Sequence, residues 1–235
     1  MNNNCFKSPV KIFVVDSGIN KNISDLNQYV TNSTGFGINK DSYIAQDNTR
    51  EVKNMHGTAI SLIIRDIFNK VELTSVNILN ENLKTDARIL IYSLCWCLEN
   101  KPDIIHLSLG TRSFFYSFAL RKIIKEAHKN NILVVAAHDN LQGISYPAQL
   151  KGVFGVKGSE ELEKNEFSYN NKLWLAPFGI DGIKGVHEFQ ESPDNMFGNS
   201  MAAAYITGHI AKIVYHTGTK NFESVSQILK TKKTL

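Results

Sequence analysis

Long apolar runs are missing from this chain. Nothing in its 235 residues reaches the ~18 consecutive apolar residues of a membrane span, so no membrane partner is expected. The amino-terminal MNNNCFKSPV has no charged segment followed by an apolar stretch and does not read as an export signal. Cysteine is scarce: three residues make an odd number for a disulfide framework, and Cys95 and Cys97, two apart in an apparent helix, do not share a face. All three read as plain thiols, which points to a reducing compartment and a cytoplasmic location. Charge of one sign is also lacking. Lys+Arg 26 against Asp+Glu 22 leaves +4, scattered apart from the tail Lys230, Lys232 and Lys233, so a nucleic-acid partner is not indicated. Of the seven histidines, His106, His128, His138, His187, His209 and His216 have no metal-ligand spacing, and no metal or other cofactor is expected. Gly 15 and Pro 5 are too few for a low-complexity chain, and 43% hydrophobic content is too high for a disordered one.

What is present is an alternation. Short apolar runs read as buried strands at Lys11–Val15, Val71–Ile78, Asp103–Leu109, Ile132–Ala137 and Gly152–Val156. Between them lie helical patterns: one opening near His56 and running through Ile67, one capped by Asp86 and running through Glu99, and an amphipathic one over Phe118–Lys129 ended by Asn130-Asn131. A glycine-dotted stretch, a helix from about Ser200 to His216 and a short helix after Asn221 complete the chain. Strand–helix alternation implies right-handed crossovers and a mostly parallel central sheet with helices on both faces, an α/β class. With no internal repeat, linker or break in composition, residues 1–235 read as one domain. The sequence carries no signature of an oligomeric state.

In such a sheet, working residues sit at the carboxyl ends of strands and the starts of the following helices. Asp16 ends the first strand, His56 and Ser200 open helices, and Asn140 follows a strand. Together these types permit acyl transfer. A serine needs a base near neutrality to take its proton, the histidine needs a carboxylate to fix its tautomer, and a developing oxyanion needs donors. A serine at a helix start offers its own N–H, and an asparagine amide offers a second donor.

The motifs around these residues resemble those of subtilisin-like serine proteases, the subtilase family, over nearly the whole chain. The Asp block is Asp16-Ser-Gly-Ile19 with Asp25-Leu26 downstream, and the His block is His56-Gly57-Thr58. Ser108-Leu109-Gly110 matches the strand end bordering the substrate cleft. Ala136-Ala-His-Asp-Asn140 matches the segment with the oxyanion asparagine. Tyr146-Pro-Ala148, Ala176-Pro-Phe-Gly179 and Gly198-Asn-Ser-Met-Ala202 follow in the family's order.

The resemblance implies a three-layer subtilisin-like fold in a minimal form without a prodomain. It implies a serine endopeptidase with Asp16, His56 and Ser200 as triad and Asn140 as oxyanion donor. Ser108, Leu109, Gly110, Ala137, His138 and Asp139 would bind an extended peptide or protein substrate. A small unexported protease of this kind would suit maturation of a dedicated precursor, such as the leader of a ribosomally made peptide. Two alternatives keep the same residues: an inactive peptide-binding module, and an acyl-enzyme resolved by an amine, making a transpeptidase or macrocyclase.

The chain departs from the family pattern at several places. Asn199 stands where Thr is usual, the usual proline is lost within Ala203-Ala204-Tyr205, and Asp139 replaces the glycine before the oxyanion asparagine. A carboxylate at Asp139 would repel an oxyanion or favour a basic substrate side chain. Phe114-Phe115-Tyr116, just past the cleft strand, would wall the cleft or cap the next helix into the core.

Overall fold

The computed structural model describes residues 7–140, 143–189 and 196–232; Cys5 and Lys233 lie outside them. Among the described residues nine strands form one sheet: β1 Val10–Asp16, β2 Val30–Ile38, β3 Ile44–Gln46, β4 Val71–Asn77, β5 Ile104–Leu107, β6 Leu133–Ala137, β7 Phe154–Ser159, β8 Ser168–Asn170 and β9 Leu173–Pro177. Their spatial order is β3-β2-β4-β1-β5-β6-β7-β9-β8. Every pairing is parallel except those of the outer strands, β3 on β2 and β8 on β9. The helices are α1 His56–Ile67, α2 Ala87–Glu99, α3 Phe114–Lys129, α4 Asn199–Thr217 and α5 Phe222–Thr231.

The strands read as continuous apolar runs because successive side chains feed two different cores. On β1, Ile12 and Val14 pack toward α1 and α4, while Phe13 and Val15 pack toward α2 and α3. On β6, Leu133 and Val135 join the first core, and Val134 and Ala136 the second. This places α1, α4 and α5 on one face of the sheet and α2 and α3 on the other, the three-layer arrangement. Chain order reverses direction at β1, whose neighbours are β4 on one side and β5 on the other. A crevice opens beyond the carboxyl ends of strands at such a reversal, and Asp16, Ser108 and Asn140 all lie at or just past those ends.

Several local expectations shift. Helix α3 starts at Phe114, with Ser113 in extended conformation as N-cap, four residues before the expected Phe118. A run of bulky aromatics lacks an apolar/polar period and hides the helix start. Phe114 and Phe115 do not cap the helix into the core; they face solvent, as does Phe118. The strand expected from Gly152 begins at Phe154, because Gly152 has φ +90° and belongs to the turn. Strands β2, β3, β8 and β9 were not legible. Their residues are polar, short or half-exposed, and pairing partners rather than hydrophobicity define them.

Candidate active site

The pairing of Asp16 with His56 begins in backbone packing. Gly57 donates its N–H to Ser17 Oγ at 3.1 Å, and Ser17 Oγ donates to the Asn54 carbonyl at 2.9 Å. Asn20 N–H donates to Thr58 Oγ1 at 2.9 Å. The turn after β1 and the first turn of α1 are thus laced together by the very serine and threonine that follow Asp16 and His56. Gly57 is required by close approach: a Cβ there would stand 2.4 Å from the Gly18 carbonyl oxygen and 3.1 Å from Asp16 Cβ.

His56 Nδ1 then lies 2.9 Å from Asp16 Oδ1 and 3.0 Å from Oδ2, and Asp16 Oδ1 also accepts from Ser17 N–H at 2.6 Å. Asp16 is fully buried, which alone would raise its pKa. The charge and hydrogen bond of His56, with hydrogen bonds from Ser108 and the Ser17 backbone, outweigh burial and hold it at about 2. Burial alone would lower the pKa of His56, but the facing carboxylate wins and raises it above the ordinary value. An ionised carboxylate on Nδ1 makes Nδ1–H the donor and leaves Nε2 as the basic nitrogen.

Ser200 is the second residue of α4, reached through Gly198 with φ +135°. Its hydroxyl donates to the Ser108 carbonyl at 3.0 Å; no hydrogen bond joins it to His56 among the described residues. Its backbone N–H is one of the unsatisfied first-turn donors of the helix. His56, Ser200, Asn140, Ser108 and Leu109 line one cavity of about 520 Å³, walled on its apolar side by Leu79, Leu83, Met196 and Phe197. Leu79 and Leu83 were absent from the sequence-based expectations; their loop carries no motif.

Asn140 Oδ1 accepts from Asn199 N–H at 3.0 Å. A backbone N–H only donates, so the facing atom must be the amide oxygen, which leaves Nδ2 to serve as a donor elsewhere. Asn199, the departure from the family's threonine, has a structural account. Its buried side chain donates from Nδ2 to the carbonyls of His138 and Asp139, each at 3.1 Å, and its Oδ1 accepts from Gly158 N–H at 2.8 Å. It ties the start of α4 to the segment that carries Asn140.

The other expected substrate-binding residues divide. Ala137 is buried at the end of β6. The His138 ring is buried too, with Nε2 unpartnered among the described residues and 3.1 Å from a Cβ placed on Gly155; burial and nearby Lys157 lower its pKa to about 4. It does not line the cavity. Asp139 pairs with Arg112 Nε at 2.7 Å, so its charge is shared with a cation from the segment just past Gly110. That segment is joined to the Tyr146 turn by a Thr111–Tyr146 bridge.

His106, expected to be solvated or core, is more specific than either. It is fully buried, its Nδ1 lies 2.8 Å from Thr207 Oγ1 and its Nε2 3.0 Å from Ser108 Oγ. Burial lowers its pKa to about 4, so the ring is neutral. With one N–H and two hydroxyl partners, it donates to one and accepts from the other. Thr207 Oγ1 in turn donates to the Ala203 carbonyl at 2.9 Å, so the ring links the end of β5 to α4. A polar residue amid Ile104, Ile105 and Leu107 on a buried strand is the signal that marks it in the sequence, since such a group must be paired.

Among the described residues, no group of three or more His, Cys, Asp or Glu side chains could hold a metal ion, and no helix is long and apolar enough to cross a membrane. A carboxylate–histidine pair sharing a cleft with a helix-start serine, at the carboxyl edge of a parallel sheet, defines the architecture of a serine hydrolase of α/β class. Residues 7–234 match the sequence profile of the Subtilase family, and the chain belongs to that family, as a subtilisin-type serine endopeptidase. It is 25% identical to Subtilisin DY of Bacillus licheniformis over 96% of this chain and 84% of that protein. It is 28% identical to the Major intracellular serine protease of Bacillus subtilis (strain 168), over 87% of this chain and 68% of that protein. Among solved structures, a lanthipeptide protease superposes with a TM-score of 0.74 at 20% identity, covering 96% of this chain and 80% of that one. A cold-adapted subtilisin-like serine proteinase gives 0.72 at 18% identity, covering 96% and 82%.

Proposed function

We propose that Ser200 attacks the scissile carbonyl, that His56 Nε2 takes its proton and returns it to the leaving amine, and that Asp16 holds His56 in the required tautomer. Asn140 Nδ2 and the Ser200 N–H receive the oxyanion. The observation that carries this reading is the His56–Asp16 bond at 2.9 Å on the wall of the cavity that also holds Ser200 and Asn140. The Ser200 hydroxyl, resting on the Ser108 carbonyl, turns to His56 when a peptide docks as an added strand along Ser108–Gly110. Hydrolysis then proceeds through an acyl-enzyme whose ester is cleaved by water, with the same histidine as base.

The whole chain acts as one catalytic domain on a dedicated precursor peptide in the cytoplasm. The structural likeness to a lanthipeptide protease, the sequence likeness to an intracellular serine protease and the unpaired thiols Cys95 and Cys97 support that assignment. A fluorophosphonate probe tests the chemistry: the protein is labelled at Ser200, and labelling is lost in Ser200→Ala and in His56→Ala. Ser200→Ala lowers kcat by about 10⁴–10⁶. Absence of labelling in folded protein, or labelling that survives His56→Ala at the same rate, overturns the triad.

A further inference from the structure

Helix α3 buries one flank, formed by Ser117, Leu120, Ile123, Ile124 and Ala127. The opposite flank has an uncommon composition. Phe114, Phe115 and Phe118 are 60%, 87% and 59% exposed, and Phe114 and Phe118 stack edge to face at 5.3 Å. Arg121, Lys122 and Lys125 continue the same flank. At ~100° per residue, Phe114, Phe118, Arg121 and Lys125 fall in one stripe, with Phe115 and Lys122 beside it. From Phe114 to Lys125 the stripe is about 16 Å long. Among the described residues the one ion pair within this helix is Lys129–Glu126; Glu126 also feels the charge of Lys125 and Glu223 lines a hollow with Arg121 and Lys125, so three cations here face two carboxylates and the flank keeps a cationic excess at Arg121 and Lys122.

Three exposed phenylalanines side by side are costly to keep in water unless something covers them. Their position indicates what does. The flank begins four residues past Gly110, on the continuation of the strand end whose Leu109 lines the cavity with His56 and Ser200. We infer that this aromatic-and-cationic flank of α3 is a docking surface for a substrate segment outside the cleaved site, one that carries apolar and acidic side chains together. This rests on the peptidase reading above and narrows its substrate class. Apolar side chains of the segment cover the Phe114–Phe118 end, and carboxylates meet Arg121, Lys122 and Lys125. A second copy of this chain is a poor occupant, because the flank is cationic and would face its own charge. An acidic partner is complementary, and the short chain path from Gly110 at the cleft strand to Phe114 favours a peptide over a lipid surface.

Two synthetic peptides test this. Both hold the same cleavable core; one carries an appended segment rich in Glu, Leu and Phe, the other a Gly/Ser segment of equal length. With wild type, the acidic–apolar peptide has a KM at least about tenfold lower, and the advantage shrinks at high salt. Arg121→Glu/Lys122→Glu and Phe115→Ser, solvent-facing substitutions, remove the advantage while cleavage of the Gly/Ser peptide stays within about twofold. Equal KM values for the two peptides overturn the inference.

Binding is read independently of turnover by fluorescence anisotropy of the labelled acidic–apolar peptide on Ser200→Ala protein. Binding that the α3 variants abolish sustains the docking surface even if no cleavage is found, in which case it is the peptidase reading that fails. Absence of binding, or binding unchanged by the variants, refutes the surface. Co-sedimentation with phosphatidylglycerol vesicles in place of peptide binding, or concentration-dependent dimerisation lost in Phe115→Ser, overturns it in favour of those occupants.

Discussion

Replacing Asn199 by alanine removes three hydrogen bonds at one stroke: two to the carbonyls of His138 and Asp139 at 3.1 Å, and one from Gly158 N–H at 2.8 Å. At about 0.5–1.5 kcal/mol net for each bond, the expected loss is about 3 kcal/mol. For a chain of this size 1 kcal/mol moves the melting temperature by about 2–4 °C, so Tm should fall by about 6–12 °C. The side chain also couples two elements of the site, since Asn199 N–H is held by Asn140 Oδ1 at 3.0 Å. Freeing the segment that carries Asn140 from the start of α4 loosens the donor relative to the nucleophile, and displacements of about 1 Å cost up to about 10²-fold in rate. Asn199→Thr, whose hydroxyl can restore at most part of this network, falls between wild type and alanine on both measures. Thermal unfolding by circular dichroism gives the first number, and the second-order rate of fluorophosphonate labelling at Ser200 gives the second without a known substrate. A Tm within 2 °C of wild type (well under the ~6 °C expected) together with an unchanged labelling rate would show that this asparagine does not hold the site together.

Other consequences follow from the same geometry. Asn140→Ala removes the proposed oxyanion donor and should lower kcat by about 10²–10³ with little change in KM; an unaltered kcat excludes that role. Gly57→Ala places a Cβ 2.4 Å from the Gly18 carbonyl and separates His56 from Asp16, so expression of folded protein or labelling at Ser200 should collapse; a fully active variant contradicts the close approach. Because Asp16 raises the pKa of His56, and the base works only when neutral, kcat/KM should rise with pH along an acid limb centred above about 6.5. In Asp16→Asn that limb moves down in pH while kcat falls by about 10⁴. A limb that stays in place separates the two residues.

Much of the candidate site was legible in the chain because the chemistry proposed for it is carried by short motifs whose residues are also structural. Asp16-Ser-Gly-Ile19 and His56-Gly57-Thr58 advertise the pair they build, since Ser17, Gly57 and Thr58 exist to bring the two backbones into contact. The core strands were legible for a different reason: a strand buried on both faces must be apolar throughout, as Lys11–Val15 and Ile132–Ala137 nearly are. Edge strands β3 and β8 have no such obligation, and no local pattern marks them. The aromatic run at Phe114 misled because hydrophobic character suggests burial, whereas the helix rotates these rings outward.

By itself the sequence determined the family, the layering of helices on a parallel sheet, and which side chains could perform acyl transfer, because these depend on residue type and spacing along the chain. Tertiary structure alone decided what several individual side chains do. Asn199 became a tie between α4 and the Asn140 segment, Asp139 a partner of Arg112, His106 a buried neutral link between Thr207 and Ser108, and α3 an exposed aromatic and cationic flank. Each of these depends on partners distant in the chain or on the rotation of a helix about its axis, and neither quantity is written in local order.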